Sequence, residues 1–333
     1  MINCLIAILG VALICYVLFG GADYGAGILG LMPWGPHKVA IRSLIGKAIG
    51  PVWEANHIWL ILIVVILFVG FPSIYSSLGT YLHWPLVMVL VGIVFRGCAF
   101  VFLHYDAIKD HTQIWYERIF SFSSLWTSFS LGLVLGGLNS GEIATTGSAY
   151  ELYFSGWLQP YNLFLGLFVC SIFAFQAVVY LIGEVEDHEI KEALKKKFYI
   201  LMPTTVVLGG CVFIASLWTK GSMALNFIKE PLSLLTLTLA TILVYPLWQS
   251  VSRYRILRSR VLSGLLTSCI IVGFMAANFP NMMVLSGAKI SIYAAAANEE
   301  TLFQLLVALI CGLVLIVPSL VFLLKTFKGQ VKH

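Results

Sequence analysis

The sequence predicts an all-α, polytopic membrane protein with nine transmembrane helices. Of its 333 residues, 60% are hydrophobic and only 11% are charged, whereas soluble domains contain about 25% charged residues. The mean hydropathy is +0.95, and at about 20 apolar residues per spanning helix a chain of this length has room for up to about ten spans. This composition excludes a water-soluble globular protein, a disordered chain and a nucleic-acid-binding protein. The seven cysteines lie inside apolar stretches without metal-site spacing, which is typical of small core residues.

Uncharged apolar runs bounded by polar clusters define the predicted spans. The nine spans are residues 2–22, 50–70, 84–103, 120–138, 161–183, 199–219, 231–250, 262–279 and 303–324. Because no soluble domain fits between them, we expect residues 1–333 to form a single integral membrane domain. The longest connection, residues 23–49, contains an apolar stretch that predicts a short interfacial helix before Pro51. We expect two four-helix groups, from spans 2–5 and spans 6–9, plus one peripheral helix.

The positive charges of the loops alternate from one side of the membrane to the other. Sixteen of the 20 Lys and Arg residues lie in the odd-numbered loops and the C-terminal tail, three lie in the even-numbered loops, and Arg96 lies within a span. Since cytoplasmic loops are enriched in Lys and Arg, this bias predicts nine spans with the N-terminus outside and the C-terminus in the cytoplasm. The first 22 residues lack the basic segment of a cleaved signal peptide, so we expect them to remain as the first span.

Three charged residues lie in or beside the predicted spans. They are Asp23 in the run GGADYGAG, Glu54 in GPVWEANHIW and Arg96 in FRGCAF. A charged side chain at the centre of a membrane helix costs about 2.5–3.5 kcal/mol on insertion scales, so each of these residues needs a structural or functional reason. By the predicted topology all three lie in the cytoplasmic half of the membrane, with Asp23 at its edge.

These residues support two hypotheses. Carboxylates at the membrane edge and deeper inside could relay protons from the cytoplasm, since burial favours the protonated carboxyl. Alternatively, an ion pair of Arg96 with Glu54 or with Asp23 could simply hold helices together. His57 shares a helix face with Glu54, and Trp53 and Asn56 lie on the adjoining face, so these three residues would support a polar cluster.

Haem ligation by this chain is not favoured by the sequence. His57 is the one histidine well inside a span, whereas the other six lie in loops or at span ends. A bis-histidine haem site needs two facing ligands, so a polar interior histidine is the favoured interpretation of His57. We therefore expect no metal or cofactor ligand in this chain.

Three motifs resemble the signatures of subunit II of cytochrome bd quinol oxidases. The run around Glu54 is similar to the family pattern G-P-V-W-D-G-N-E-x-W-L, the run around Asp23 to D-G-F-D-L-G-x-G, and the run around Arg96 to F-R-G-V-A-F. They occur in the order and at the spacing of the family, and the nine-helix layout covers the whole chain. There are also departures, which indicate a divergent branch, with the cyanide-insensitive type as one candidate. Gly20 replaces an acid, Glu54 an Asp, His57 a Glu, and Val101 and Leu103 replace a Glu and an Arg.

The resemblance implies a heterodimeric terminal oxidase in the bacterial cytoplasmic (inner) membrane that oxidises quinol and reduces dioxygen to water. Haems b and d and the quinol site would belong to the partner, subunit I. This chain would support that subunit and contribute a proton path through Asp23 and Glu54, with no catalytic residue, cofactor or metal of its own. A small single-helix accessory subunit and a structural quinone or lipid in this chain are left open.

Two other functions remain open at this point. A proton-coupled secondary transporter would also use buried carboxylates near glycine-broken helices. A purely structural membrane partner would need the charged residues only for helix packing.

Overall fold

The computed structural model describes residues 1–49, 53–105, 111–220 and 223–330. The first half contains α1 (Ile2–Cys15), a π-helical segment (Tyr16–Gly20), α2 (Gly21–Leu29), a 3₁₀ turn (Gly35–His37), α3 (Lys38–Ile49), α4 (Trp53–Val65), a second π-helical segment (Ile66–Gly70), α5 (Pro72–Tyr81), α6 (His83–Tyr105), α7 (Gln113–Ser140) and α8 (Ala149–Tyr153). The second half contains α9 (Pro160–Ile182), α10 (His188–Ser216), α11 (Met223–Lys229), α12 (Pro231–Ser252), α13 (Ile256–Asn278), the strands β1 (Asn281–Leu285) and β2 (Ala288–Ser291), and α14 (Glu299–Gln330).

The helices confirm the all-α, polytopic membrane class. Within the described ranges, eight helices are long and apolar enough to cross a membrane. The count rises to nine if the bent pair Ala55–Gly70 and Pro72–Tyr81 is one span. The bend of 112° between these two helices occurs at Phe71, because Pro72 lacks a backbone N–H and disfavours helical geometry in the residue before it.

The first span is longer than the sequence predicts. It was expected to end at residue 22, but the helix continues through the π-helical segment and α2 to Leu29. Asp23 therefore lies within the helix and not at its end, and it is only 5% exposed. A buried partner for its charge, described below, makes this continuation tolerable.

Helix α9 is the centre of the bundle. In its most apolar stretch 83% of the residues are buried, compared with 11% in α14. Helices α2, α7, α10 and α13 surround α9. Glycines bring α7 close to α9: a Cβ placed on Gly132 of α7 would lie 2.4 Å from the Cα of Gly166 in α9. Small residues at such crossings allow membrane helices to pack backbone against backbone.

The last helix, α14, lies at the periphery of the bundle, but it does not pack mainly against the spans that precede it in the chain. Among the described helices, α14 packs mainly against the π-helical segment Ile66–Gly70 and against α1. The predicted division into spans 2–5 and spans 6–9 therefore does not describe this side of the bundle. The apolar runs give the number of helices, but the contacts between helices decide how they are grouped.

Outside the spans, the interfacial helix was expected from the sequence and the β-hairpin was not. The interfacial helix α3 forms in the connection predicted to contain it. Between α13 and α14 the chain folds into the antiparallel hairpin β1–β2, whose turn uses Gly287 at φ +95°. The N–H of Ser286 in this turn donates to the carbonyl of Ile143, which fastens the hairpin to the α7–α8 connection.

The bundle end that carries most of the Lys and Arg residues is called the basic end below. There α10 begins with Asp187, whose side chain accepts a hydrogen bond from the N–H of Glu189. Tyr254, between α12 and α13, donates its hydroxyl to Glu192 of α10. Partial burial, together with this hydrogen bond, raises the pKa of Tyr254. The contact joins the first turns of α10 to the α12–α13 connection.

Candidate functional site

A buried ion pair between the first and third spans forms the centre of the site. The Nη2 of Arg96 in α6 lies 2.5 Å from Oδ1 of Asp23 in α2. Arg96 is 1% exposed and Asp23 is 5% exposed. Of the two ion pairs that the sequence left open, the structure therefore contains Asp23–Arg96.

The Arg96 guanidinium has further partners besides Asp23. Its Nε donates to the hydroxyl of Ser124 in α7 at 3.0 Å. Its Cζ lies 4.7 Å from the ring centroid of Tyr24 and 4.8 Å from that of Phe120. Stacking between aromatic rings together with charge-assisted hydrogen bonds is an arrangement that suits the planar guanidinium and offsets part of its lost hydration.

Tyr24 connects the ion pair with the second span. Its ring packs edge-on against His57 of α4, with ring centroids 6.3 Å apart. On its other side, the Tyr24 ring stacks on Phe173 of α9. The hydroxyl of Tyr16, in the π-helical segment, donates to the Tyr24 hydroxyl at 3.3 Å. The aromatic and hydroxyl groups around Asp23 thus reach three different spans.

The glycines of the first motif allow the other helices to approach Asp23. A Cβ on Gly25 would lie 1.8 Å from the carbonyl oxygen of Phe173, and a Cβ on Gly27 would lie 2.1 Å from Oγ of Ser124. A side chain at either position would separate α2 from α9 or from α7. The backbone is helical throughout α2, so the close approach comes from the absence of side chains at these glycines.

The second motif is described only in part. Asn56 is buried and His57 is half-buried, and both lie near the start of α4. The side chains of Trp53 and Glu54 lie outside the described residues. The backbone places Glu54 one turn closer to the basic end than His57, about 4.5 Å along the helix axis.

The chemistry available to the described part of the site is that of fixed charge and hydrogen bonding. Arginine remains protonated in proteins, so the Asp23–Arg96 pair is a buried dipole with no net charge when Asp23 is ionised. Within the described ranges, no group of three His, Cys, Asp or Glu side chains could hold a metal ion.

Comparison with known proteins identifies the family of this chain. The sequence model described as cytochrome bd terminal oxidase subunit II matches residues 1–327. The chain belongs to this family. The cytochrome bd ubiquinol oxidase subunit 2 of Bacillus subtilis is 25% identical over 196 residues, which are 56% of this chain and 56% of that protein. The cytochrome bd-I ubiquinol oxidase subunit 2 of Escherichia coli is 26% identical over 178 residues, 52% of this chain and 46% of that protein.

Another relative, the putative cytochrome bd menaquinol oxidase subunit II of Bacillus subtilis, is 24% identical over 69% of this chain and 68% of that protein. The alignments thus cover about half to two thirds of these bd subunit II sequences. A solved structure, the bd oxidase from Geobacillus thermodenitrificans, matches with a TM-score of 0.79 at 20% identity over 98% of both chains. This similarity shows that the chain shares its fold, over nearly its whole length, with a chain of that bd oxidase.

Several residues of the site were missed by sequence reasoning. Tyr24 follows Asp23 directly, but its contact with Arg96 depends on the neighbouring helix. Ser124 belongs to a polar face of α7 that is visible in the sequence as six Ser and Thr residues between positions 121 and 130. Gln176 is the only amide side chain between residues 163 and 182, and this isolated polar residue was a usable signal.

Proposed function

We propose that the chain is subunit II of a bd-type terminal oxidase of the bacterial cytoplasmic membrane. The complex couples quinol oxidation to the reduction of dioxygen to water. Its partner is a haem-bearing subunit I, which holds haems b and d and the quinol site. The observation that carries this proposal is the family match over residues 1–327, supported by a fold similarity over 98% of the chain.

The exposed apolar surface of the chain supports a heteromeric assembly. Large apolar side chains are exposed along several spans, and α12 and α14 are the least buried of them. Obligate interfaces commonly bury several thousand square ångströms. Part of this apolar surface would therefore be covered by subunit I and the rest by lipid.

Co-purification tests the assembly. An affinity tag on this chain should retain a second, haem-bearing polypeptide in mild detergent, with the absorption of haems b and d in the visible spectrum. Deletion of the gene should remove the haem d absorption from membranes. A chain that purifies alone, without haem, and transports a solute coupled to protons in vesicles would contradict the oxidase proposal.

We further propose that this chain carries protons from the cytoplasm through Asp23 and Glu54. By the predicted topology both residues lie in the half of the membrane nearer the basic end. They belong to the first and second spans, which are in contact. The ring contact between Tyr24 and His57 links their immediate neighbours. Protons would pass from Asp23, the partner of Arg96, to Glu54, and each carboxyl would take up and release the proton in turn.

Substitution of Glu54 tests this role. Glu54→Gln keeps the size and hydrogen-bonding capacity of the side chain but removes its titration, so oxygen reduction should slow strongly while the haem content is unchanged. Glu54→Asp keeps the carboxyl and should retain much of the activity. A fully haem-loaded Glu54→Gln complex working at the wild-type rate would contradict the relay, and a complex lost from the membrane would indicate a structural role.

A further inference from the structure

A second group of polar side chains, three of them buried and the fourth 21% exposed, lies on α9 and α13, which are in contact. It consists of Gln176 in α9 and of Arg260, Ser263 and Thr267 in α13, called the polar seam below. Gln176 and Ser263 are 0% exposed, and Thr267 is 1% exposed. The proton path proposed above does not use any of these residues.

The polar seam is unusual because each of its four side chains has one polar atom without a partner among the described protein groups. Oε1 of Gln176, Nε of Arg260, Oγ of Ser263 and Oγ1 of Thr267 are all buried without a hydrogen bond. Buried polar atoms in folded proteins are nearly always paired with protein or with ordered water. Four unpaired atoms on two adjacent helices therefore indicate a shared non-protein partner.

The hydroxyls of the seam also break the usual pattern of Ser and Thr in membrane helices. Such hydroxyls commonly donate to the carbonyl four residues earlier. Ser259, one turn away in the same helix, does so with Arg255, and the buried Thr205 of α10 does so with Leu201. Since Ser263 and Thr267 do not, their hydroxyls are available to a ligand.

The register of the two helices places the four residues along one line. At the basic end, Nη2 of Arg260 donates to the carbonyl of Tyr180 at 2.8 Å and to Glu184 at 2.7 Å. Gln176 lies one turn before Tyr180. Ser263 and Thr267 lie about one and two turns beyond Arg260. Because α9 and α13 are antiparallel, Gln176 on α9 and these two hydroxyls on α13 are displaced in the same direction, away from the basic end.

The end of the polar seam that lies farther from the basic end contacts the first span. Nε2 of Gln176 donates to the carbonyl of Leu18, in the π-helical segment, at 3.4 Å. Gly264, between the two seam hydroxyls in sequence, lies against the side chain of Leu18. A Cβ placed on Gly21, two residues before Asp23, would lie 3.2 Å from Oε1 of Gln176. π-Helical segments in α-helices are frequently associated with functional sites.

We propose that the polar seam holds a file of ordered water that connects the basic end of the bundle with the segment of the first span beside Asp23. Water fits the donor and acceptor set, because two hydroxyls can both donate and accept, the amide oxygen accepts, and the guanidinium Nε–H donates. Successive groups are about one helical turn apart, a distance that one bridging water spans. If the basic end faces the cytoplasm, the file gives the polar cluster a second aqueous approach. Its use for proton delivery rests on the proposed oxidase function.

X-ray radiolysis of the purified complex in H₂¹⁸O tests the presence of this water. Bound water activated in place oxidises the side chains beside it, even where they are buried. Phe173 neighbours Gln176 on the first-span side of α9, whereas Phe175 is equally buried elsewhere on the same helix. We expect ¹⁸O incorporation at Phe173 to be severalfold faster than at Phe175. Equal, slow labelling of both rings would overturn the proposal.

The Ser263→Ala/Thr267→Val variant identifies the source of the labelling. It removes both seam hydroxyls with little change in volume, and it should slow the labelling of Phe173 severalfold. The matched control is Ser171→Ala/Thr205→Val, which removes two buried hydroxyls that are bonded within their own helices. Labelling that persists undiminished in the seam variant would overturn the proposal, because the water would then belong to the Asp23 cluster.

Oxygen-reduction assays separate the water file from its use. The seam variant, with normal haem content, should reduce oxygen severalfold more slowly than the control variant. If the seam variant loses the ¹⁸O labelling of Phe173 but reduces oxygen at an unchanged rate, the water file stands and its proposed use for proton delivery is overturned. The labelling result does not depend on catalysis, so it decides on the seam even if the oxidase proposal fails.

Discussion

At the scale of single residues, the main fact is that the buried charge of Arg96 is fully accommodated. Asp23 neutralises it, Ser124 accepts from its Nε, and the rings of Tyr24 and Phe120 cover its faces. An arginine in a membrane helix would otherwise be strongly unfavourable. The partners come from the first and fourth spans, so this one side chain joins three spans.

Asp23→Asn should destabilise the protein, because the variant leaves the charge of Arg96 buried without a counter-charge. Removing one partner of a buried pair costs about 3–5 kcal/mol. We expect a lower unfolding temperature and less protein in the membrane, measured by thermal denaturation and quantitative immunoblotting.

Glu117→Gln is the matched control for this prediction. Glu117 pairs with Arg42 at the basic end, and the two side chains are 28% and 27% exposed. A partly exposed pair contributes about 0–1 kcal/mol, so this variant should assemble almost normally. If the two variants lose the same amount of stability, Asp23–Arg96 is not a tightly coupled buried pair.

The residue scale also shows the limit of sequence reasoning at the site. Burial of Asp23 and Arg96 close to each other was expected as one of two pairings, because both lie near the same end of their spans. Which carboxylate binds Arg96 depends on the neighbour of α6, and sequence spacing within separate helices does not contain that information.

At the scale of elements, the first span is organised around a stripe of glycines. Gly25 faces α9 and Gly27 faces α7, and the close approach lets Tyr24 contact Phe173. In a membrane, helices gain little from apolar burial against each other, so close packing and interhelical hydrogen bonds stabilise the contact. The position of Asp23 is therefore a consequence of the packing of α2.

Gly25→Ala should disrupt this packing. The added Cβ would lie 1.8 Å from the carbonyl oxygen of Phe173, which is backbone and cannot rotate away. Overpacking of this kind costs typically about 1–3 kcal/mol and occasionally more. A lower thermal midpoint of the purified protein is the expected observation.

Gly79→Ala provides the comparison for Gly25→Ala. In α5, a Cβ on Gly79 would meet no described atom within 4 Å. Alanine is favoured over glycine in a helix by up to about 1 kcal/mol, so this variant should be as stable as the wild type or slightly more stable. Equal destabilisation by both substitutions would mean that α2 does not touch α9 at Gly25.

At the scale of the whole molecule, the alternation of Lys and Arg between the loops predicts the orientation in the membrane. An alkaline phosphatase fused after His333 should be inactive, and a fluorescent protein fused there should fluoresce, because both report a cytoplasmic C-terminus. A phosphatase fused after Gly147, in the connection between α7 and α8, should be active. An active phosphatase at the C-terminus would reverse the predicted orientation.

The sequence by itself determined the membrane class, the approximate spans and the three charged positions. These depend on local quantities: the length of an apolar run must match the bilayer, and a charge inside such a run is visible wherever the chain folds. The family signatures belong to this group too, since they are short and contiguous around Asp23, Glu54 and Arg96.

The tertiary structure decided what joins residues that are distant in the chain. It paired Asp23 with Arg96, placed α14 beside the second span and bent that span at Phe71. It also brought Gln176 next to α13, which no spacing within either helix indicates. The physical reason is that a membrane makes all apolar helices similar to one another, so the pairing of spans is set by glycine contacts, hydrogen bonds and charge compensation between helices.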